Sequence, residues 1–569
     1  KTLFSVNTAQ ALAVAIDNLE KTSVRRSVTR VSRTKPLSLS FAQQRLWFID
    51  QLDGGSPQYN VPITMRLSGT FSVTALSKAI TMITARHECL RTTFFDEGDK
   101  PLQVIQAPST FNLSVLDLSF MGEKQQAEMV QNHIQSYVCE TFDLSKDLML
   151  RGQVLKLAEN DHVLLMMVHH IAFDGWSFGV LANEIGTLYH AYLEGREDAS
   201  LPNLEVQYAD YARWQREWLQ GEVLDKLVGY WKQQLQGLPV THSLPLDRPR
   251  PAQQTFAGAT LNSQLPEAVF RRLQALCDQQ GATVFMGLHA AFSVLIARYS
   301  GETDIAVGTP IANREQPEVA NLIGFFVNTL VLRSDVSGAP SYIDMVQRSK
   351  DTALDAYAHQ QLPFEQLVDA LQPPRSLSHT PLFQIMLALH NIDRGNAEVP
   401  GVTLTPVTQT GVHAKFDLIV HMADAENGLG ILWEYNTDLF DAATVGRMAD
   451  HFILLIDNLV SAPEDSVFST IMLTDVERRR FLAEAVQQVD CTTNTCIHQL
   501  FESQADKHPE KTAVTFKGSD LSYGEINSKA NRLAHYLVKE KKVTPDTLIG
   551  ICLDRSPTMI VALLGILKS

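Results

Sequence analysis

Long apolar runs are missing from this chain. None reaches the roughly 18 to 20 residues that a helix needs to cross a bilayer. The N-terminus carries no signal-peptide pattern either, so a cytosolic location and no membrane partner are expected. Cysteine is scarce, with six in 569 residues, which excludes a disulfide framework. Cys491 and Cys496 lack the partner ligands of a zinc site, and no metal is expected. Positive charge is in deficit: 48 Lys and Arg against 63 Asp and Glu leave a net charge of -15. Phosphate binding rests on a basic surface, so nucleic acid is not an expected partner. What is present, 45% hydrophobic and 20% charged, is ordinary globular composition, and the length suggests roughly three to four domain-sized units.

The chemistry is placed in Val163-Leu-Leu-Met-Met-Val-His-His-Ile-Ala-Phe-Asp-Gly-Trp-Ser177. An apolar run without polar alternation reads as a strand buried on both faces. It ends in His169 and His170, whose side chains point to opposite faces of such a strand, so one of them is structural. Asp174-Gly175 makes a turn, and Phe178, Leu181, Ile185 and Leu188 then recur at helical spacing.

The segment His169-His-Ile-Ala-Phe-Asp-Gly175 resembles the HHxxxDG signature of the condensation domains of nonribosomal peptide synthetases. Chloramphenicol acetyltransferase and other CoA-dependent acyltransferases share a related signature. Six further stretches resemble the family's other motifs in order: Leu37 to Phe48, Ala85 to Phe94, Gln207 to Arg216, Ile323 to Arg333, His359 to Glu365 and Arg375 to Phe383. Together the resemblance covers Pro36 to about Asp475. It implies an α/β fold of two chloramphenicol-acetyltransferase-like lobes, a V-shaped pseudodimer with a tunnel between them. The second half of the chain repeats the pattern of the first loosely, but has no histidine pair at the matching place, so one lobe should hold the catalytic groups.

The implied reaction is attack by the amine of an acceptor aminoacyl thioester on a donor peptidyl thioester. The substrates arrive on phosphopantetheine of donor and acceptor peptidyl carrier domains, and no cofactor is bound covalently to this chain. His170 is the expected catalytic group, as general base or as positioning group, and His169 supports structure. The family reading makes Asp174 a salt-bridge partner of an arginine, with Arg314, Arg86 and Arg91 as unranked candidates; alternatively Asp174 polarises His170. Arg86 and Arg91 support the active-site fold by the same resemblance. Gly175 would allow φ > 0 in the turn or close backbone approach, and its N–H would help polarise a carbonyl. Ser177 and Asn328 are candidate tunnel polar groups, against the plainer reading of each as a capping or turn residue.

The expected domains are the C-terminal helix of a carrier domain (1–20), a solvated linker (21–35), an N-lobe (36–240), a C-lobe (241–476), a linker (477–492) and a truncated N-terminal part of an adenylation domain (493–569). No carrier serine is found, since Gly54-Gly-Ser56 is followed by Pro57 within another motif. No Gly/Ser/Thr-rich phosphate loop is reached, so amino-acid activation is not expected of this stretch. The carrier-like start and the lack of a second histidine motif favour an L-configured donor. A CoA-dependent acyltransferase and a catalytically inactive docking platform stay as alternatives.

Overall fold

The computed structural model describes residues 8–10, 13–14, 27–98, 100–196, 199–374, 376–390, 401–407, 412–485 and 495–569. Most of the carrier-type helix expected in 1–20, the first part of the 21–35 linker, Arg375 and Cys491 lie outside them. The chain divides into two compact units, Lys1–Thr474 and Asp475–Ser569.

Among the described residues the first unit is built on two large sheets, beside a small three-stranded one of Leu37–Ser38, Pro101–Ile105 and Thr92–Asp96. The N-lobe sheet has five strands in the order Val402–Pro406, Asn60–Gly69, Asp161–His169, Leu150–Ala158, Ser114–Asp117. Asp161–His169 lies at its centre, which is why this stretch carries no polar alternation. Leu164, Met166 and Val168 pack with Leu76, Ile80 and Leu181 of the helices Val73–Arg86 and Gly175–Leu193. On the opposite face Val163 and Leu165 meet Val130 and Ile134 of the helix Glu123–Val138. Each such fully buried side chain contributes about 1.5 to 3 kcal/mol relative to exposure. The C-lobe sheet has seven strands in the order Asn328–Asp335, Asp304–Ile311, Ile385–His390, Leu418–Ala425, Gly428–Asn436, Ala257–Pro266, Val412–His413. The helix Val284–Ser300, buried at every position from Met286 to Ala297, fills its core beside Tyr342–Ala358 and Ala442–Ser461.

Three boundary expectations are corrected. The basic segment before Pro36 is not a free tether where it is described: Val28 is buried, the Val31 N–H donates to Asp210 at 2.8 Å, and Arg33 pairs with Asp210 and with Glu88 at 2.7 Å. Arg33 serves two buried carboxylates rather than solvent. The lobes also do not separate at residue 240. The strand Val402–Pro406 adds to the N-lobe sheet beside Asn60–Gly69, and Val319, Leu322, Ile323 and Phe326 lie in the N-lobe core. Finally, the expected linker 477–492 begins as a helix, Asp475–Ala485.

The second unit contains the helices Asp475–Ala485, Ile497–Lys507, Tyr523–Glu540 and Pro557–Leu567 and a hairpin of Thr512–Phe516 with Ser519–Ser522. Its small core joins Ile526, Ala530 and Leu564.

Two stability tests follow from this packing. A Cβ on Gly308 would lie 2.1 Å from the Phe383 ring, so Gly308→Ala should destabilise the first unit by at least about 1 to 3 kcal/mol in chemical denaturation. Arg33→Ala should cost about 1.5 to 3 kcal/mol by the same measurement, because two buried carboxylates lose a charge-assisted partner. A solvated tether would give no change.

Candidate functional site

His169 closes the central strand opposite Asn60. Its N–H donates to the Met149 carbonyl at 3.0 Å, its Nδ1 accepts from the Ile171 N–H at 3.2 Å, and its ring meets Phe142 edge-on. It is buried at 2% exposure and its hydrogen bonding stays within the strand end, a structural arrangement. His170 opens the short 3-10 turn His170–Ala172 and is partly exposed. Its ring meets Phe325 edge-on at 4.8 Å between centroids, and its Nδ1 is buried with no hydrogen-bond partner among the described residues. The change of backbone from strand to turn between the two residues separates their surroundings.

Asp174 caps the helix Gly175–Leu193 and accepts from the Ser177 N–H at 2.9 Å and the Ser177 hydroxyl at 2.7 Å. The same carboxylate pairs with Arg314 at 3.0 Å and accepts from the backbone N–H groups of Phe326 at 2.9 Å and Val327 at 3.3 Å. Both charged side chains are almost fully buried, at 1% and 2% exposure. Arg314 also donates to the carbonyls of Val319 and Leu322 at 2.9 and 2.6 Å, and its guanidinium lies over the Phe326 ring. Of the three candidate arginines, Arg314 is therefore the one paired with Asp174. No hydrogen bond joins Asp174 to His170 among the described residues; the carboxylate fixes the neighbouring segment, and through it Phe325.

Arg86 pairs instead with Glu184 at 2.9 Å. Glu184 also accepts from His87 Nε2 at 2.9 Å while His87 Nδ1 accepts from the Ile323 N–H, a network that fixes the ring as the Nε2–H tautomer. Arg91 donates to the carbonyls of Thr84 and Ala85 near the end of the helix Val73–Arg86, and to Gln106. Arg86 thus ties the helix Val73–Arg86 to the helix that follows the histidines, and Arg91 ties the end of Val73–Arg86 to Gln106.

Two candidate tunnel groups are corrected. Ser177 is buried, with its hydroxyl shared among Asp174, Arg314 and the backbone of Gly324. Asn328 is buried, donating to the carbonyls of Gln360 and Leu362 and accepting from the Phe364 N–H. Each spends its polar atoms on backbone. Gly175 is not among the residues with positive φ; it is the first helical residue, so its N–H has no acceptor within the helix.

Electrostatics set the protonation of the pair. Burial first, and the positive charge of Lys415 after it, push His170 down to about 4 against the opposing effect of Asp174 and nearby backbone groups. Burial likewise lowers His169 to about 3. Lys415 itself is pushed down to about 8 by burial, against the pull of Glu434. Sequence reasoning missed Lys415, Phe325 and Tyr59. Each lies more than a hundred residues from the histidines along the chain, so no local spacing connects them.

A family model described as Condensation domain matches residues 34–482, and one described as AMP-binding enzyme matches 501–569. A linear gramicidin synthase protein of Brevibacillus parabrevis is 42% identical over 542 residues, covering 95% of this chain and 7% of that protein. Phosphinothricin tripeptide synthetase PhsC of Streptomyces viridochromogenes is 38% identical over 540 residues, covering 94% and 49%. The chain thus spans less than half the length of either relative. Among solved structures, the X-domain in complex with OxyB from teicoplanin biosynthesis superposes with a TM-score of 0.72 at 27% identity, over 80% of this chain and 100% of that one. The first condensation domain of the calcium-dependent antibiotic synthetase shares the fold, with a TM-score of 0.65 at 19% identity over 78% and 100% of the two chains.

Arg314→Ala would leave the Asp174 carboxylate buried without its cation. It should cost about 3 to 5 kcal/mol in equilibrium denaturation, and a loss below about 1 kcal/mol would show the pair to be dispensable. The buried histidines add a pH dependence. His169, His170 and His289 are held near 3, 4 and 4, below the unfolded value of about 6.5, so the unfolded chain binds more protons in acid. Their contribution is complete above about pH 6.5 and is lost as pH falls towards about 4, and the melting temperature should drop over that window.

Proposed function

The chain belongs to the condensation-domain family, and from that membership we propose that it forms a peptide bond between two substrates held on carrier domains. The acceptor α-amine attacks the carbonyl carbon of the donor thioester. The C–N bond forms, the C–S bond breaks, and the proton released by the nitrogen is delivered to the departing thiolate. The observation that supports this reading is an imidazole, His170, partly exposed at a strand end and held neutral by its surroundings.

A neutral imidazole accepts a hydrogen bond or a proton from an attacking amine; an imidazolium does neither. A free α-amine with a pKa of about 7.7 to 8.0 is only roughly a tenth to a fifth neutral near pH 7. A site that binds and orients the neutral form therefore gains directly in rate. A pKa near 4 makes His170 a weak base towards bulk solvent, which favours positioning and transient proton acceptance at the tetrahedral adduct over wholesale deprotonation of ammonium. Holding two tethered reactants in line can contribute up to roughly 7 to 11 kcal/mol.

Donor and acceptor carriers, each presenting its substrate on phosphopantetheine, belong to the same proposal, as does an L-configured donor. The carrier-like residues at the start of the chain support the donor assignment, and the match of 501–569 to the AMP-binding family supports a following adenylation domain. No single helix among the described residues is long and apolar enough to cross a membrane.

The test mixes loaded donor and acceptor carriers with wild type or His170→Ala and follows the elongated thioester by intact mass. The variant should lose on the order of 100-fold or more in rate. A wild-type rate would remove His170 from the chemistry and leave the docking-platform reading. Efficient turnover of soluble acyl-CoA without a donor carrier would favour the acyltransferase reading. Because His170 is already neutral above about pH 4, the wild-type rate between about pH 5 and 8 should follow deprotonation of the acceptor amine, with no inflection from the histidine.

A further inference from the structure

The segment that leads into the N-lobe carries Arg33, and two buried carboxylates close around its guanidinium. Asp210, which has no exposure, accepts from it at 2.5 and 3.0 Å, and Glu88 pairs with it at 2.7 Å. Val31 adds its N–H to Asp210 at 2.8 Å and its carbonyl to Arg33 at 2.7 Å. Among the described residues Arg33 is the only cation within ion-pair distance of either carboxylate. A buried carboxylate keeps its place only while its cation and hydrogen bonds are present. The surroundings of Asp210 and Glu88 therefore depend on this one side chain.

Both surroundings lead to the ring that packs His170. Asp210 lies in the first turn of the helix Tyr208–Trp218 and accepts from the Gln207 N–H at 2.8 Å, which fixes where that helix begins. At that beginning the Tyr208 hydroxyl donates to the Phe325 carbonyl at 2.7 Å. Glu88 opens the short turn Glu88–Arg91, between His87 and Cys89. His87 Nδ1 accepts from the Ile323 N–H at 3.2 Å, and the Cys89 thiol donates to the Ile323 carbonyl at 2.9 Å. Both backbone groups of Ile323 are thus held by the neighbours of a residue that Arg33 anchors. Gln207 ties the two routes together, accepting from the Glu88 N–H at 3.1 Å and donating to the Arg86 carbonyl at 2.9 Å. From one guanidinium the routes converge on residues 323–325, and Phe325 meets the His170 ring at 4.8 Å.

We propose that Arg33 is a positioning residue for condensation: docked on Asp210 and Glu88, it sets the segment 323–325 that orients His170. This rests on the condensation reading above. Ring packing orients that imidazole, since its Nδ1 has no hydrogen-bond partner among the described residues. A shift of Phe325 is therefore a shift of the accepting nitrogen relative to the amine, and rate is sensitive to such misplacement. Arg33 stands on the segment by which a donor carrier would be joined to the N-lobe, so docking of that segment and ordering of the site become one event. Arginine suits the task better than lysine, because its planar fork serves both carboxylates at once.

The experiment compares the full chain with its Arg33→Ala, Arg33→Lys and Tyr208→Phe variants, by condensation of loaded carriers and by the NMR signal of the His170 ring in histidine-labelled protein. That signal is identified by its loss in His170→Ala, and Phe325→Leu marks where it lies without the Phe325 ring current. In Arg33→Ala it should move towards the Phe325→Leu position, and kcat should fall roughly 2- to 30-fold with KM for the acceptor carrier unchanged. Free guanidinium at millimolar concentration should restore part of the rate. Arg33→Lys, a charge without the fork, should lie between wild type and Ala. Tyr208→Phe removes only the hydroxyl that holds the Phe325 carbonyl and should move the signal the same way. Gly308→Ala, destabilised from within the C-lobe, should leave it at the wild-type position. A wild-type signal in folded Arg33→Ala, or an equal displacement in Gly308→Ala, would overturn the proposal. If Arg33→Ala does not fold, a wild-type signal in both Arg33→Lys and Tyr208→Phe overturns it instead. The signal needs no turnover: if His170→Ala condenses normally, the proposed function fails while the displacement by Arg33 is still measured.

Discussion

One carboxylate holds the site together. Asp174 accepts from the Ser177 N–H and hydroxyl that cap a helix, from the Arg314 guanidinium, and from the backbone N–H groups of Phe326 and Val327. The first pair lies on the N-lobe helix that follows the histidines and the others on the return segment from the C-lobe. A buried ion of this kind is stable only when all its acceptor sites are satisfied at once, because partial satisfaction leaves an uncompensated charge at low dielectric. The helix cap and the lobe seam therefore depend on one carboxylate. With the seam closed, Phe325 stands against the His170 ring, held further by its carbonyl accepting from the Tyr208 hydroxyl at 2.7 Å.

In the proposed reaction, this arrangement would let His170 work without a carboxylate partner of its own. In a charge-relay arrangement the acid orients the imidazole by direct hydrogen bond. Here ring packing performs the orienting, and the acid fixes the ring that packs. Burial depresses the pKa of such a histidine, and no directly bonded carboxylate restores its basicity. For attack by an amine that loss does little harm. A strongly basic histidine would be protonated near neutral pH and would repel the ammonium form of the nucleophile while offering no acceptor to the neutral form.

Much of the fold is legible in the sequence because burial leaves a period. The two-faced strand, the stripe Leu76, Ile80, Ile83 and the helix Val284–Ser300 all follow from apolar spacing, and the structure puts them where that spacing requires. Three kinds of feature are hidden. Charges that look solvated can be buried by a partner far along the chain, as Arg33 is by Asp210, so a basic run without hydrophobic period reads as a tether. Polar residues near a signature look like cavity groups until their backbone partners are known, which is what misplaces Ser177 and Asn328. The exchange of Val402–Pro406 into the opposite sheet leaves no local trace, because a short edge strand reads alike in either sheet.

The same reasoning accounts for how two lobes of similar build serve one reaction. A histidine pair in only one lobe suggests that the other is a passive wall, yet the contacts show contributions from outside the N-lobe's own span: Arg314, the segment carrying Phe325, and Lys415. Arg314 neutralises the buried carboxylate and Phe325 packs the imidazole. A single proton acceptor placed at a seam needs shape and potential from the far side rather than a second acceptor, which would compete for the same proton. In the proposed reaction, the asymmetry between the lobes is what a single-histidine amine site requires.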